Sequence, residues 1–163
     1  METDRTIFSL LKLSDYDEVF RLYSNESVRK YLGGVVDLAR FDEKFKSFLS
    51  VQLPECYWII RQKDSNNFIG MLSITRHHNQ EHFEISYELH PDFWGKGYGT
   101  EVVRKGIEHA FDNLGLSELY AETQKKNIQS IKLLKKSGME LDSEVERFGE
   151  LQVIYSIKNK RHQ

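Results

Sequence analysis

Glycine spacing gives the first sign of chemistry in this chain. The stretch from Phe83 to Thr100, FEISYELHPDFWGKGYGT, reads as a short strand and a turn. Gly95, Gly97 and Gly99 then alternate with other residues, and a helical pattern follows directly. A strand that ends in a glycine-rich turn and opens a helix is suited to binding phosphate. Glycine lets the backbone turn so that several N–H groups point the same way. The helix N-terminus adds N–H groups without intrahelical partners and about half a positive charge. A tight strand-to-helix turn with no ligand uses glycine in the same way, so on their own these residues leave both readings open.

Two common phosphate motifs fail on inspection. A Walker loop needs Gly-Lys followed by Ser or Thr, and here Gly95-Lys96 is followed by Gly97. The dinucleotide fingerprint, counted from Gly97 and Gly99, needs a small residue where Val102 stands. The preceding strands also read as antiparallel rather than as part of a βαβ unit. Other reactive side chains are sparse. Cys56 lies alone in an apolar run and reads as a buried structural thiol. His77, His78 and His82 crowd one turn, but on a hairpin their spacing does not converge on a metal, so they read as solvated turn residues. No metal site is expected. Glu84 and Glu88 alternate with Ile85, Tyr87 and Leu89 and therefore share one face of a strand.

The elements that position these residues follow from periodicity. Thr6–Leu13 suggests a first strand. Ser14 and Asp15 can cap a helix over Tyr16–Tyr23. Ser27–Tyr31 looks like a short turn of helix. Leu38–Leu49 carries an apolar stripe of Leu38, Phe41, Phe45, Phe48 and Leu49. The period then changes to two. Strands are expected over Cys56–Arg61, Phe68–Arg76 and His82–Leu89, joined by the polar turns Lys63–Asn67 and His77–Glu81 as an antiparallel meander. A long amphipathic helix covers Gly97–Leu114 and ends at Gly115. A short strand over Glu118–Thr123 and a helix over Asn127–Ser137 follow. A closing hairpin, Met139–Val145 and Leu151–Ile157, turns around Phe148-Gly149-Glu150. Trp58, Tyr57 and Phe68 read as core, and Phe93 and Trp94 read more simply as core than as a substrate wall.

With 163 residues and no linkers or repeats, the whole reads as one mixed α/β domain, residues 1–163, of about seven strands. A formal net charge of −2, with acids and bases mixed, disfavours a nucleic-acid partner. The N-terminus METDRTIF has no apolar signal core and no window approaches the length of a membrane span, so a cytoplasmic protein without a membrane partner is expected. The sequon at Asn25-Glu26-Ser27 is then a chance match.

The string ISYELHPDFWGKGYGTEVV, followed by Asn127-x-x-Ser130 and LLKKSGME (Leu133–Glu140), resembles the GNAT acetyltransferases. More narrowly it resembles their Rim-type branch, named for the N-terminal acetyltransferases of ribosomal proteins. The likeness extends to Ser9–Gly34 and Trp58–Ile74 and so covers nearly the full chain. It implies an α+β fold with a mostly antiparallel sheet, splayed central strands and about four helices. It also implies acetyl-CoA as co-substrate. The family's phosphate signature is Arg or Gln, two residues, then Gly-x-Gly or Gly-x-Ala. Gly97-Tyr98-Gly99 supplies the glycine pair and Trp94 stands at the Arg/Gln position, a departure common in the Rim-type branch. The implied pyrophosphate contacts are the backbone N–H groups of Gly95, Lys96, Gly97, Tyr98, Gly99 and Thr100, with the Lys96 side chain solvated. Pantetheine would lie in the splay like a missing strand. Its backbone partners would be near Leu89 and His90 on one side, with Thr123 to Lys125 beside the other.

Acetyl transfer to an amine requires a neutral amine, a polarised thioester carbonyl and a stabilised leaving thiolate. Direct transfer needs no protein nucleophile. The resemblance points to Glu84 as the base, directly or through water, with Glu88 as second candidate. Many members carry a tyrosine acid where this chain has Leu134, and the Rim-type branch instead uses the serine of Asn-x-x-Ser, here Ser130. Asn127 would cap the helix or touch pantetheine. The acceptor is expected to be a primary amine: a protein N-terminus, a polyamine, an amino acid or an aminoglycoside. Asp37, Asp42, Glu43, Glu144, Glu146 and Glu150 could attract it, or be ordinary solvated acids. An inactive acyl-CoA-binding module and a transferase of another acyl group are the alternatives. Monomer and homodimer both stay open.

Overall fold

The computed structural model describes residues 1–77 and 81–160. The period-two runs become strands β1 (Thr6–Leu10), β2 (Cys56–Gln62), β3 (Phe68–Arg76), β4 (Phe83–Leu89), β5 (Glu118–Gln124), β6 (Glu140–Arg147) and β7 (Glu150–Lys158). They form one sheet in the order β1-β2-β3-β4-β5-β7-β6. Every neighbouring pair is antiparallel except β4 and β5, which run parallel. The helices are α1 (Tyr16–Tyr23), α2 (Glu26–Arg29), α3 (Leu38–Ser50), α4 (Tyr98–Asp112) and α5 (Ile128–Lys136).

Each face of the sheet is buried. On one side Ile85, Leu89 and Leu119 pack with Val102, Val103 and Ala110 of α4 and Leu134 of α5. On the other, Ile59 and Met71 pack with Val19 and Leu22 of α1 and the Phe41, Phe45 and Phe48 stripe of α3. Full burial of each such side chain contributes roughly 1.5–3 kcal/mol before entropy is counted.

The boundaries differ from the sequence reading where side chains capture the backbone. The first strand ends at Leu10, not Leu13, because the Asp15 carboxylate accepts the Lys12 N–H at 2.8 Å and starts a turn. The closing hairpin extends to Arg147 and resumes at Glu150, leaving a two-residue turn. Phe148 and Gly149 both have positive φ, 56° and 74°, which suits the twist of the flanking strands.

Gly70 sits opposite Leu89 in the β3–β4 ladder. A methyl group there would lie 2.2 Å from the Glu88 carbonyl oxygen and 2.8 Å from Leu89 Cα. Both are backbone atoms and cannot rotate away. Gly70→Ala is therefore expected to destabilise by about 1–3 kcal/mol. The check is the midpoint of denaturant unfolding at unchanged slope. A wild-type midpoint would show that the two strands part freely at this point.

Candidate active site

The parallel pair β4–β5 shares one register pair, Glu84 opposite Tyr120, among the described residues. Past it, toward their C-terminal ends, no further register pair joins the two strands among the described residues, and this stretch is the gap between them. Which backbone groups line this gap follows from the flanking ladders. His90 donates its N–H to Ile69 at 2.8 Å, so alternation turns the N–H and C=O of Tyr87 and Leu89 away from β3 and into the gap. Lys125 donates to Leu151 at 2.8 Å, which turns Gln124 and Glu122 away from β7 on the other side, the Gln124 carbonyl being taken by the Asn127 N–H at 2.8 Å. At the narrow end the Glu122 N–H is met by Glu84 Oε1 at 3.4 Å. Glu84 is thus the wedge where the strands separate.

At the wide end stands the glycine turn. Gly97 is the N-cap of α4 with φ 84°, a left-handed conformation that favours glycine. The helices α3 and α5 begin under Asp37 and Asn127 side-chain caps, whereas α4 begins with none. The N–H groups of Tyr98, Gly99 and Thr100 precede its first intrahelical bond, from Glu101 N–H to Gly97 C=O at 3.2 Å. Gly99 serves close packing: a methyl group there would come within 2.5 Å of the Leu133 side chain on α5.

The turn is clamped from outside. Arg5 donates to the Lys96 carbonyl at 3.1 Å and to Glu101 Oε2 through Nε at 2.8 Å, and its guanidinium lies 4.1 Å over the Tyr98 ring. Thr3 bonds the other Glu101 oxygen, and Gln62 donates to the Tyr98 hydroxyl at 2.9 Å. These hydroxyl and guanidinium bonds from Thr3 and Arg5 outweigh partial burial and hold the Glu101 carboxyl below its ordinary range.

A family model, that of the acetyltransferase (GNAT) domain, matches residues 5–140, which span this gap and this turn. The chain belongs to the GNAT acetyltransferase family. It is an N-acetyltransferase of the GNAT type. Among its relatives is the "Uncharacterized N-acetyltransferase YoaA" of Bacillus subtilis, 26% identical over 155 residues that cover 91% of this chain and 86% of that protein. Among solved structures, the fold matches a spermidine N-acetyltransferase from Vibrio cholerae in complex with CoA and spermine. That match has a TM-score of 0.82, 15% identity and 96% coverage of both chains. It likewise matches the aminoglycoside acetyltransferase AAC(6')-Ib in complex with coenzyme A, with a TM-score of 0.81, 18% identity and 95% coverage of both chains. At these identities the structural likeness is one of fold.

Within this GNAT frame the expected site residues separate into two groups. Glu84, Leu89, Ser130 and Asn127 border the gap, and residues Gly95 to Thr100 form the turn at its mouth. Burial, reinforced by Glu122 and opposed by His77, pushes the Glu84 carboxyl up to about 7. Ser130 lies in the first turn of α5, where Asn127 Oδ1 accepts its N–H at 3.2 Å. Several expectations are corrected. Glu88 shares the face of Glu84, but its carboxylate is paired with Arg29 at 3.2 Å, and both side chains are about nine-tenths buried. Arg29 in turn donates to the carbonyls of Gly34 and Leu32, so one oxygen of Glu88 anchors a loop, while its Oε2 is buried without a hydrogen-bond partner. His90 spends its N–H within the sheet. On the far side, within the expected stretch Thr123 to Lys125, Gln124 is the residue whose N–H turns inward. The Tyr98 side chain is buried with its hydroxyl occupied by Gln62, which leaves its expected contribution, the backbone N–H, in place at the turn. Trp94 is 40% exposed rather than core, and its indole N–H holds the Leu89 carbonyl at 2.8 Å.

Of the histidines, His77 differs from expectation. His77 is buried, with Nε2 2.8 Å from Glu122 Oε2, an oxygen that Arg147 also reaches at 2.9 Å. His82 stacks on Tyr120 at 4.3 Å, and His78 lies outside the described residues. Among the described residues no group of three or more side chains could hold a metal. Cys56 is buried, and burial pushes its thiol up to about 12, so it stays protonated. Of the acids, Asp37 caps α3, Asp42 accepts from Tyr16, and Glu144 and Glu150 pair with Lys125 and Lys126. No helix among the described residues is long and apolar enough to cross a membrane.

The sequence reading missed Tyr87 and the set of His77, Glu122 and Arg147. Tyr87 shares a hydrogen bond of 2.6 Å with Ser130 Oγ. Alternation along β5 carried a signal for Glu122, since it puts Glu118, Tyr120 and Glu122 on one face.

Proposed function

We propose that this enzyme transfers the acetyl group of acetyl-CoA directly to a primary amine, in the manner of the Rim-type branch. The observation that carries this reading is the uncapped glycine turn of α4 at the mouth of a gap edged by the backbone of Tyr87 and by the N–H groups of Leu89 and Gln124, whose carbonyls are held by Trp94 and Asn127. The N–H groups of the turn suit the pyrophosphate, and the Tyr87 backbone with the N–H groups of Leu89 and Gln124 suits pantetheine laid in as a strand. Glu84 is the base that receives the amine proton, directly or through an ordered water. Ser130 steadies the leaving sulfur. The acceptor is a small amine or a protein N-terminus. The neighbours that act on spermidine and on aminoglycosides support the small-amine class.

Calorimetric titration with acetyl-CoA tests the coenzyme, and thiol release across a panel of polyamines, amino acids, aminoglycosides and N-terminal peptides tests the acceptor. Binding with turnover on one class is the expected result. Absence of binding would overturn the coenzyme assignment.

A further inference from the structure

The family tyrosine acid is missing because its place is taken by Leu134, a fully buried core residue. A different tyrosine approaches the same helix from the opposite side of the gap. Tyr87 projects from β4 toward α5 and meets Ser130 Oγ at 2.6 Å. This contact joins the strand on one edge of the splay to the helix that follows the strand on the other. Each hydroxyl has the other as its side-chain partner among the contacts of the described residues. We propose that Tyr87 is a positioning residue for Ser130: its O–H is donated to Ser130 Oγ, which leaves the Ser130 proton aimed at the leaving sulfur. This rests on the acetyl-CoA reading above.

The chemistry closes without a change at either hydroxyl. The amine nitrogen bonds to the acetyl carbon and gives its proton to Glu84. The C–S bond breaks with its electron pair on sulfur. The Ser130 O–H hydrogen-bonds that thiolate, which takes a proton from solvent on release. A phenol suits the donor's part because burial pushes Tyr87 up to about 12, against a smaller lowering by Ser130, so it remains protonated through the working range. A hydrogen bond to a charged group differs by about tenfold or more from one to a neutral group.

The test compares CoA with desulfo-CoA, which lacks the sulfur, in wild type and in Tyr87→Phe, which keeps the ring. At pH 9, where bound thiolate is populated, Tyr87→Phe should weaken CoA about tenfold and leave desulfo-CoA unchanged. Its kcat should fall about tenfold with the acceptor KM retained. Ser130→Ala should show the same selective loss. Equal weakening of both ligands would assign Tyr87 to shaping the slot and overturn the inference. Unchanged CoA affinity and kcat would also overturn it. A wild-type enzyme that binds neither ligand would overturn the coenzyme reading, and this inference with it.

Discussion

Replacing Glu84 by glutamine is expected to lower kcat by about 10²–10³-fold, the range of a lost general base, while leaving acetyl-CoA affinity unchanged. The substitution separates the proposed base from the wedge. Glutamine keeps an oxygen to accept the Glu122 N–H, so the point where β4 and β5 part is preserved. It cannot accept a proton from the amine. The pH dependence gives a second reading of the same residue. Burial raises Glu84, so its carboxyl loses its proton only as pH rises through about 7. The active base is the deprotonated form. Wild-type kcat should therefore climb with an apparent pKa near 7 and fall away below it, and that limb should disappear in Glu84→Gln. Turnover within threefold of wild type would remove Glu84 from the chemistry and leave it the wedge alone.

The second large effect is expected at Ser130. Ser130→Ala should reduce kcat by about 10–100-fold, the worth of a hydrogen bond to a charged sulfur. The helix should survive the change, because its cap is made by Asn127 to the Ser130 backbone N–H rather than by the hydroxyl. Single-turnover acetyl transfer, read beside the melting temperature, tests this. A variant that melts as wild type and transfers at the wild-type rate would exclude the serine.

These residues also show which features local sequence can reveal. The glycine turn was legible because its geometry is encoded within five adjacent residues. Glu84 was legible as a strand residue on a polar face, since alternation alone fixes that. Its partners were not. His77 read as a solvated turn histidine because nothing nearby in sequence reveals that β5, 45 residues on, presents Glu122 to it. Glu88 reads as a second candidate behind Glu84, and nothing local reveals that α2, far upstream, brings Arg29 onto it. Tyr87 read as an apolar-face residue, and Ser130 as a hydroxyl in a first helical turn. Only the parallel pairing of β4 and β5, followed by the turn into α5, puts the two hydroxyls in contact. Trp94 failed for another reason. Hydrophobicity predicted burial, but its indole N–H has a carbonyl to hold at the surface.

Among the described residues the single rung between Glu84 and Tyr120 makes the sheet two blocks, β1–β4 and β5–β7, joined at one end and riveted by the helices laid across them. A coenzyme lying between them in strand fashion then becomes a structural member, the missing stave that makes the sheet continuous. Product release is on this view a local unzipping. The Tyr87 backbone and the N–H groups of Leu89 and Gln124 then return to water along the line where the next coenzyme would enter.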